Sequence, residues 1–136
     1  MKGSLDVGIF VLRLGIGIIF AIHGYPKLSG GPGKWEGLGQ AMGMIGITFL
    51  PVFWGFMAAV SEFAGGICLA AGAFSRIASG LMAFTMLIAT VMHLNSGHGF
   101  QGAAHAMSML VVFIALLISG PGRLALGSAF RNPWLR

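Results

Sequence analysis

Four apolar runs, at roughly Leu5–Tyr25, Leu50–Phe74, Ile77–Leu94 and Ala103–Ser119, take up most of a chain of 136 residues. Each is about 18–25 residues long, enough for one helix to cross a ~30 Å hydrocarbon core at 1.5 Å per residue. Hydrophobic residues make up 57% of the chain and charged residues 8%, too few charges to cover a water-facing surface. The sequence therefore predicts an all-α, four-transmembrane-helix bundle, a single integral membrane domain over residues 1–136. No soluble catalytic domain is left over, so any chemistry takes place in or at the bilayer.

The ends of these runs set the topology. Arg13 interrupts the first run and no small-x-small cleavage site precedes Tyr25-Pro26-Lys27, so the first helix reads as retained rather than as a signal peptide. With four spans both termini share one side, which would hold Lys2, Arg76, Arg123, Arg131 and Arg136. The other side would hold Lys27 and Lys34, the latter offset by Glu36. This bias predicts both termini in the cytoplasm of a prokaryotic inner membrane. The net charge of +5 is scattered at span ends, with no basic stripe for nucleic acid; it reads as topology and headgroup contacts with the lipid bilayer. The single cysteine, Cys68, reads as a small buried hydrophobe.

Leu28 to Thr48 is the one long connection. Ser29-Gly30-Gly31-Pro32-Gly33 breaks the first helix. Trp35, Leu38, Met42 and Ile45 then recur at helical spacing, which predicts a short interfacial segment between helices 1 and 2. Pro51 suits the first turn of the second span. Ser75-Arg76 marks a tight turn, Asn95 to Gly102 a polar outer loop, and Gly120-Pro121-Gly122-Arg123 an abrupt helix exit.

Small residues mark where helices approach closely in lipid. Gly55, Ala59, Glu62, Gly66, Leu69, Ala73 and Arg76 share one stripe of the second span, and Arg13, Gly17, Phe20, Gly24 and Lys27 share one of the first. These two faces are natural partners. Counted from the hydropathy edges, Arg13 is about 12 Å deep, and Glu62 about 18 Å from the other side, so both fall at a similar level. An unpaired charge there costs at least ~2.5–3.5 kcal/mol, so an Arg13–Glu62 pair, or protonation of Glu62, is the expectation. His23, His93 and His105 form a second layer one to two turns further out, with His98 in the loop.

The pattern Arg13–Gly17–Phe20–His23-Gly24–Lys27 resembles the opening of DoxX-type membrane proteins. So does Glu62–Gly65-Gly66–Leu69–Gly72–Arg76, continued by Met86, Ala89 and His93, and the exit Gly120-Pro121-Gly122-Arg123. The resemblance covers nearly the whole chain. It implies a four-helix membrane bundle, and a link to quinone-dependent sulfur oxidation, terminal oxidases or redox-stress systems. Two departures stand out: relatives often carry an acidic residue shortly after the exit, where this chain has Leu126-Gly127, and another near the place of His105.

Quinone chemistry moves protons with electrons, so it needs hydrogen-bond donors and a titratable group. Glu62 and His93 are the candidates for proton exchange, and Arg13, His23, Lys27, Glu62, His93 and His105 for ligand binding. The expected role is a quinone-associated redox component, or the membrane subunit of an oxidoreductase system, working with a redox partner protein or as a homo-oligomer. A structural polar cluster without turnover is the bland counterpart. His93, His98 and His105 have no spacing that specifies a metal geometry, and haem would need two of the histidines to face each other; no metal site is assigned. A proton-coupled exporter acting as a dimer would use Glu62, with Arg13 opposing a cationic substrate. A membrane anchor for a soluble enzyme is the third reading, with Arg131-Asn132-Pro133-Trp134-Leu135-Arg136 as the docking tail. A Ser–His–carboxylate hydrolase has no support.

Overall fold

The computed structural model describes residues 2–129; the proposed docking tail, residues 131–136, lies outside them. Four long helices form the bundle: α1 (Lys2–Leu28), α3 (Pro51–Ala71), α4 (Ser75–Asn95) and α5 (Gly99–Ser119). A shorter α2 (Gly31–Gly39) continues into a 3₁₀ segment, Gln40–Ile45, and a second 3₁₀ turn, Leu126–Ala129, follows α5. There is no strand among the described residues. At 21 residues each, α3, α4 and α5 span about 31 Å, the thickness of a hydrocarbon core.

The burial pattern is that of a chain dissolved in lipid. Large apolar side chains cover the outside, among them Ile18, Ile22, Phe53, Phe84, Val111 and Ile118, while small and polar ones sit between the helices. Gly17 packs where an added Cβ would lie 2.6 Å from Ala70 N and Gly66 O, and Gly24 where it would lie 2.5 Å from Phe63 N. α1 and α3 therefore touch backbone to backbone along the two small-residue stripes. α4 packs mainly on α5 and, less extensively, on α3. Phe20 of α1 meets Phe113 of α5 edge to face, with ring centres 5.0 Å apart, in a core shared with Leu69, Met82 and Met86.

The turns follow the sequence signals. Gly72 ends α3 in the left-handed region (φ 74°), donating its N–H to Cys68 O and Leu69 O, a conformation in which a Cβ would be strained. Between the spans, α2 lies on the start of α3 so tightly that a Cβ at Gly39 or Gly55 would overlap the backbone of the other element. The helical spacing predicted for Trp35, Leu38, Met42 and Ile45 holds for the first three, which turn inward. Ile45 is exposed because the chain tightens to 3₁₀ after Gly39.

Candidate functional site

α3 and α4 are joined by a short turn and meet closely where Gly65 faces Met82 Sδ, at 3.1 Å from an added Cβ. Beyond that contact, toward the α2 side, they enclose a cavity of about 430 Å³. α3 contributes Trp54, Ala58, Ser61 and Glu62, α4 contributes Thr85, Ile88, Ala89 and His93, and Leu38, Gly39 and Met42 of the α2 segment close one side. The wall is predominantly apolar. Phe53, Met57, Leu81 and Phe84 line it too and are 37–48% exposed on the outer surface of the bundle, so the cavity opens toward lipid. Its size falls within the ~300–1,000 Å³ usual for small-molecule sites.

One ion pair sits in this wall. Lys27 Nζ donates to both carboxylate oxygens of Glu62, at 2.8 and 2.7 Å. The Glu62 side chain is 3% exposed and that of Lys27 21%. Lys27 belongs to the last turn of α1, where the negative end of the helix dipole favours a cation. Trp35 Nε1 donates to Lys27 O at 3.0 Å, so the same residue ties α2 to the end of α1. Nearby, Ser61 Oγ and Thr85 Oγ1 are 2.8 Å apart, linking α3 to α4. Each hydroxyl also bonds a carbonyl of its own helix, Ala58 O and Leu81 O. His93 Nδ1 lies 3.4 Å from His98 Nδ1 at the loop end of α4.

The structure separates the expected Arg13–Glu62 pair. Gly24 of α1 stands level with Glu62 and Phe63, and Arg13 is eleven residues earlier, about 16 Å along the helix. The depth count placed them together because it put Arg13 about 12 Å inside the membrane edge by counting from Leu5. Arg13 instead stands level with the last turn of α3, beside Leu69 and Ala70, in a register fixed by the close packing at Gly17 and Gly24. Lys27, from the same α1 stripe, takes the carboxylate instead.

Arg13 has a different environment. It is 1% exposed, and it donates from Nε to Pro121 O at 3.2 Å, from Nη1 to Leu69 O at 3.2 Å and Ala70 O at 2.5 Å, and from Nη2 to Leu124 O. Leu69 and Ala70 belong to the last turn of α3, whose carbonyls lack the usual partner four residues on and whose dipole is negative. Phe10 adds a ring 5.1 Å from the guanidinium carbon. The guanidinium thus fastens the chain after α5 to the middle of α1 and the end of α3. Gly127 N–H to Gly72 O at 2.9 Å and Arg123 N–H to Asp6 Oδ1 at 3.0 Å reinforce the same seam.

Of the residues singled out in the sequence, Lys27, Glu62 and His93 come together on the cavity wall. His23 and His105 are exposed on α1 and α5, His23 with its ring 6.4 Å from that of Phe20, and neither lines the cavity. Among the described residues no three His, Cys, Asp or Glu side chains group as metal ligands. Trp54, Ser61 and Thr85 were not singled out. A hydroxyl inside an apolar run is a visible signal for the last two; a tryptophan there reads as an ordinary span residue.

The fold and site define a small polytopic membrane protein with a lipid-facing cavity around a buried ion pair. The family model "DoxX" matches residues 8–95, and the chain belongs to the DoxX family. It is 29% identical over 137 residues to the inner membrane protein YqjF of Escherichia coli (strain K12), covering 98% of this chain and 100% of the relative. It is 35% identical over 127 residues to CatD of Bacillus subtilis (strain 168), a candidate oxidoreductase by name, covering 93% and 89%. No solved structure matches the chain.

Proposed function

We propose that the protein binds the headgroup of a membrane-soluble quinone between α3 and α4 and exchanges protons with it, as the membrane component of an oxidoreductase system. The carrying observation is the placement of Lys27, Glu62 and His93 on the wall of an apolar cavity that opens toward lipid. A quinone supplies two-electron, two-proton chemistry, and its electrons pass to or from a redox partner protein. Lys27 has three N–H donors and gives two directions to Glu62, which leaves one for a carbonyl oxygen of the ligand. Glu62 neutralises that ammonium and holds it at the wall. His93, at the loop end of α4, is suited to pass protons to the adjoining aqueous phase, since a neutral imidazole carries one donor and one acceptor nitrogen. The name of the Bacillus subtilis relative supports a redox role, and the positive-charge bias supports both termini facing the cytoplasm.

An exporter of cations is less well supported, because Lys27 already neutralises Glu62 and a cationic substrate would have to displace it. The test is extraction of the purified protein into organic solvent and quantification of quinones by mass spectrometry, with Glu62→Gln alongside. Quinone near one per chain, reduced in the variant, is the expected result. Quinone at the level of bulk lipid in both proteins would overturn the reading.

A further inference from the structure

The wall of the cavity includes a residue whose side-chain donor has no partner among the described residues. The residue is Trp54, and the donor is its shielded Nε1. A buried N–H left unpaired is costly, and indole offers that donor and no acceptor. Other polar groups nearby are spoken for: Ser61 and Thr85 bond each other and their own helices, Trp35 Nε1 bonds Lys27 O, and Glu62 bonds Lys27. The rings of Phe49 and Phe53 lie 6.4 and 5.2 Å from the Trp54 ring and help to fix it.

We infer that Trp54 is a second headgroup-binding residue, whose indole N–H donates to an acceptor oxygen of a ligand that enters sideways from the bilayer. Trp54 is eight residues before Glu62, about 12 Å along α3. Trp54 and Lys27 therefore offer two N–H donors to one cavity, separated along its length. This arrangement selects a flat or elongated headgroup with acceptor oxygens at opposite ends and no cationic group, joined to an apolar tail. The tail leaves between α3 and α4, past Phe53, Met57, Leu81 and Phe84, which line the cavity and are exposed on the outer face. The inference deepens the quinone reading and rests on its cavity, but it concerns the recognition of acceptor oxygens, not the redox step.

The test is a binding titration of the full chain in lipid nanodiscs with three probes: a decyl-substituted benzoquinone, a long-chain methyl ketone and decylbenzene. Wild type is compared with Trp54→Phe, which keeps an aromatic ring and removes the N–H. Binding is read by displacement of a bound fluorescent lipid analogue, so that loss of the indole does not remove the signal. The variant should weaken the quinone and the ketone about fivefold, the worth of one net hydrogen bond, and leave decylbenzene within about twofold. Comparing acceptor with hydrocarbon within each protein cancels any effect of altered packing. Equal loss for all three probes, or none for any, would overturn the role of Trp54 while leaving the quinone reading intact. Ketone binding that depends on Trp54, without quinone binding, would uphold the inference and overturn the redox reading. If none of the probes binds wild type, both fall.

Discussion

Lys27 Nζ lies 2.8 and 2.7 Å from the two carboxylate oxygens of Glu62, joining the last turn of α1 to the middle of α3. The partners are 35 residues apart in sequence. Their meeting depends on α1 and α3 packing at backbone distance through Gly24. Truncating one partner strands the other's charge in a place that water reaches poorly, which costs roughly 3–5 kcal/mol for a buried pair. Lys27→Met is therefore expected to destabilise strongly. The double variant Lys27→Met/Glu62→Leu should regain most of that loss, because two apolar groups replace a matched pair. Unfolding of wild type, Lys27→Met, Glu62→Leu and the double variant in one detergent, compared as a double-mutant cycle, checks this. Additive losses would show that the two side chains do not act as a unit.

Arg13 performs a mechanical task that its charge alone does not explain. Its N–H donors make four hydrogen bonds to carbonyls on two separate segments: Leu69 and Ala70 at the end of α3, and Pro121 and Leu124 after α5. A lysine keeps the charge and lacks the fork. Arg13→Lys is expected to cost about 2 kcal/mol or more, given ~1.5–3 kcal/mol for each hydrogen bond to a charged group. It should speed amide exchange at Arg123 and Gly127, whose N–H groups bond Asp6 and Gly72. Quinone content should be unchanged, since Arg13 does not line the cavity. Unaltered exchange at both amides would refute the clamp.

These two residues show where sequence reasoning succeeded and where it ran out. Residue type and periodicity located the charged residues, the small-residue stripes and the helix exits, because lipid penalises unpaired charge and open backbone so heavily. The α1–α3 contact was legible for that reason: Gly17 and Gly24 do meet Gly66, Ala70 and Phe63. Relative depth was not legible. It depends on where each helix starts and stops, and an error of a turn at each end moves a partner by several residues. Lys27 and Arg13 share one stripe, so the stripe alone could not say which of them meets Glu62. The cavity was hidden too. It lies between α3, α4 and the α2 segment, with lining residues spread from Lys27 to His93 in sequence, and is a consequence of three-dimensional packing. Trp54 carries no local mark in the sequence that distinguishes it from a lipid-facing ring.

The glycine stripe makes a sharp stability expectation. An added methyl at Gly17 would press on the backbone of α3 at Ala70 and Gly66, whereas at Gly15 it would meet nothing within 4 Å. Gly17→Ala should cost about 1–3 kcal/mol by forcing the helices apart. Gly15→Ala should be neutral or stabilising by up to about 1 kcal/mol, since alanine is the better helix former. Thermal unfolding in the same detergent separates them. Equal effects at the two positions would mean that α1 and α3 do not pack through this face.

The cavity itself can be tested by filling it. Ala58 lines it on α3, between Trp54 and Glu62, and a cavity of about 430 Å³ has room for a large side chain. Ala58→Trp is therefore expected to remove most of the bound quinone while changing stability by less than about 1 kcal/mol, because the added ring occupies open space instead of overpacking a filled core. Ile67 is 48% exposed on the outside of α3 and does not line the cavity, so Ile67→Trp adds a similar bulk in lipid and should leave quinone content intact. Extraction and mass spectrometry on the three proteins gives the comparison. If Ala58→Trp retained the wild-type quinone content, the ligand would have to occupy another part of the molecule, and the roles given to Lys27, Glu62 and His93 at this wall would fail with it.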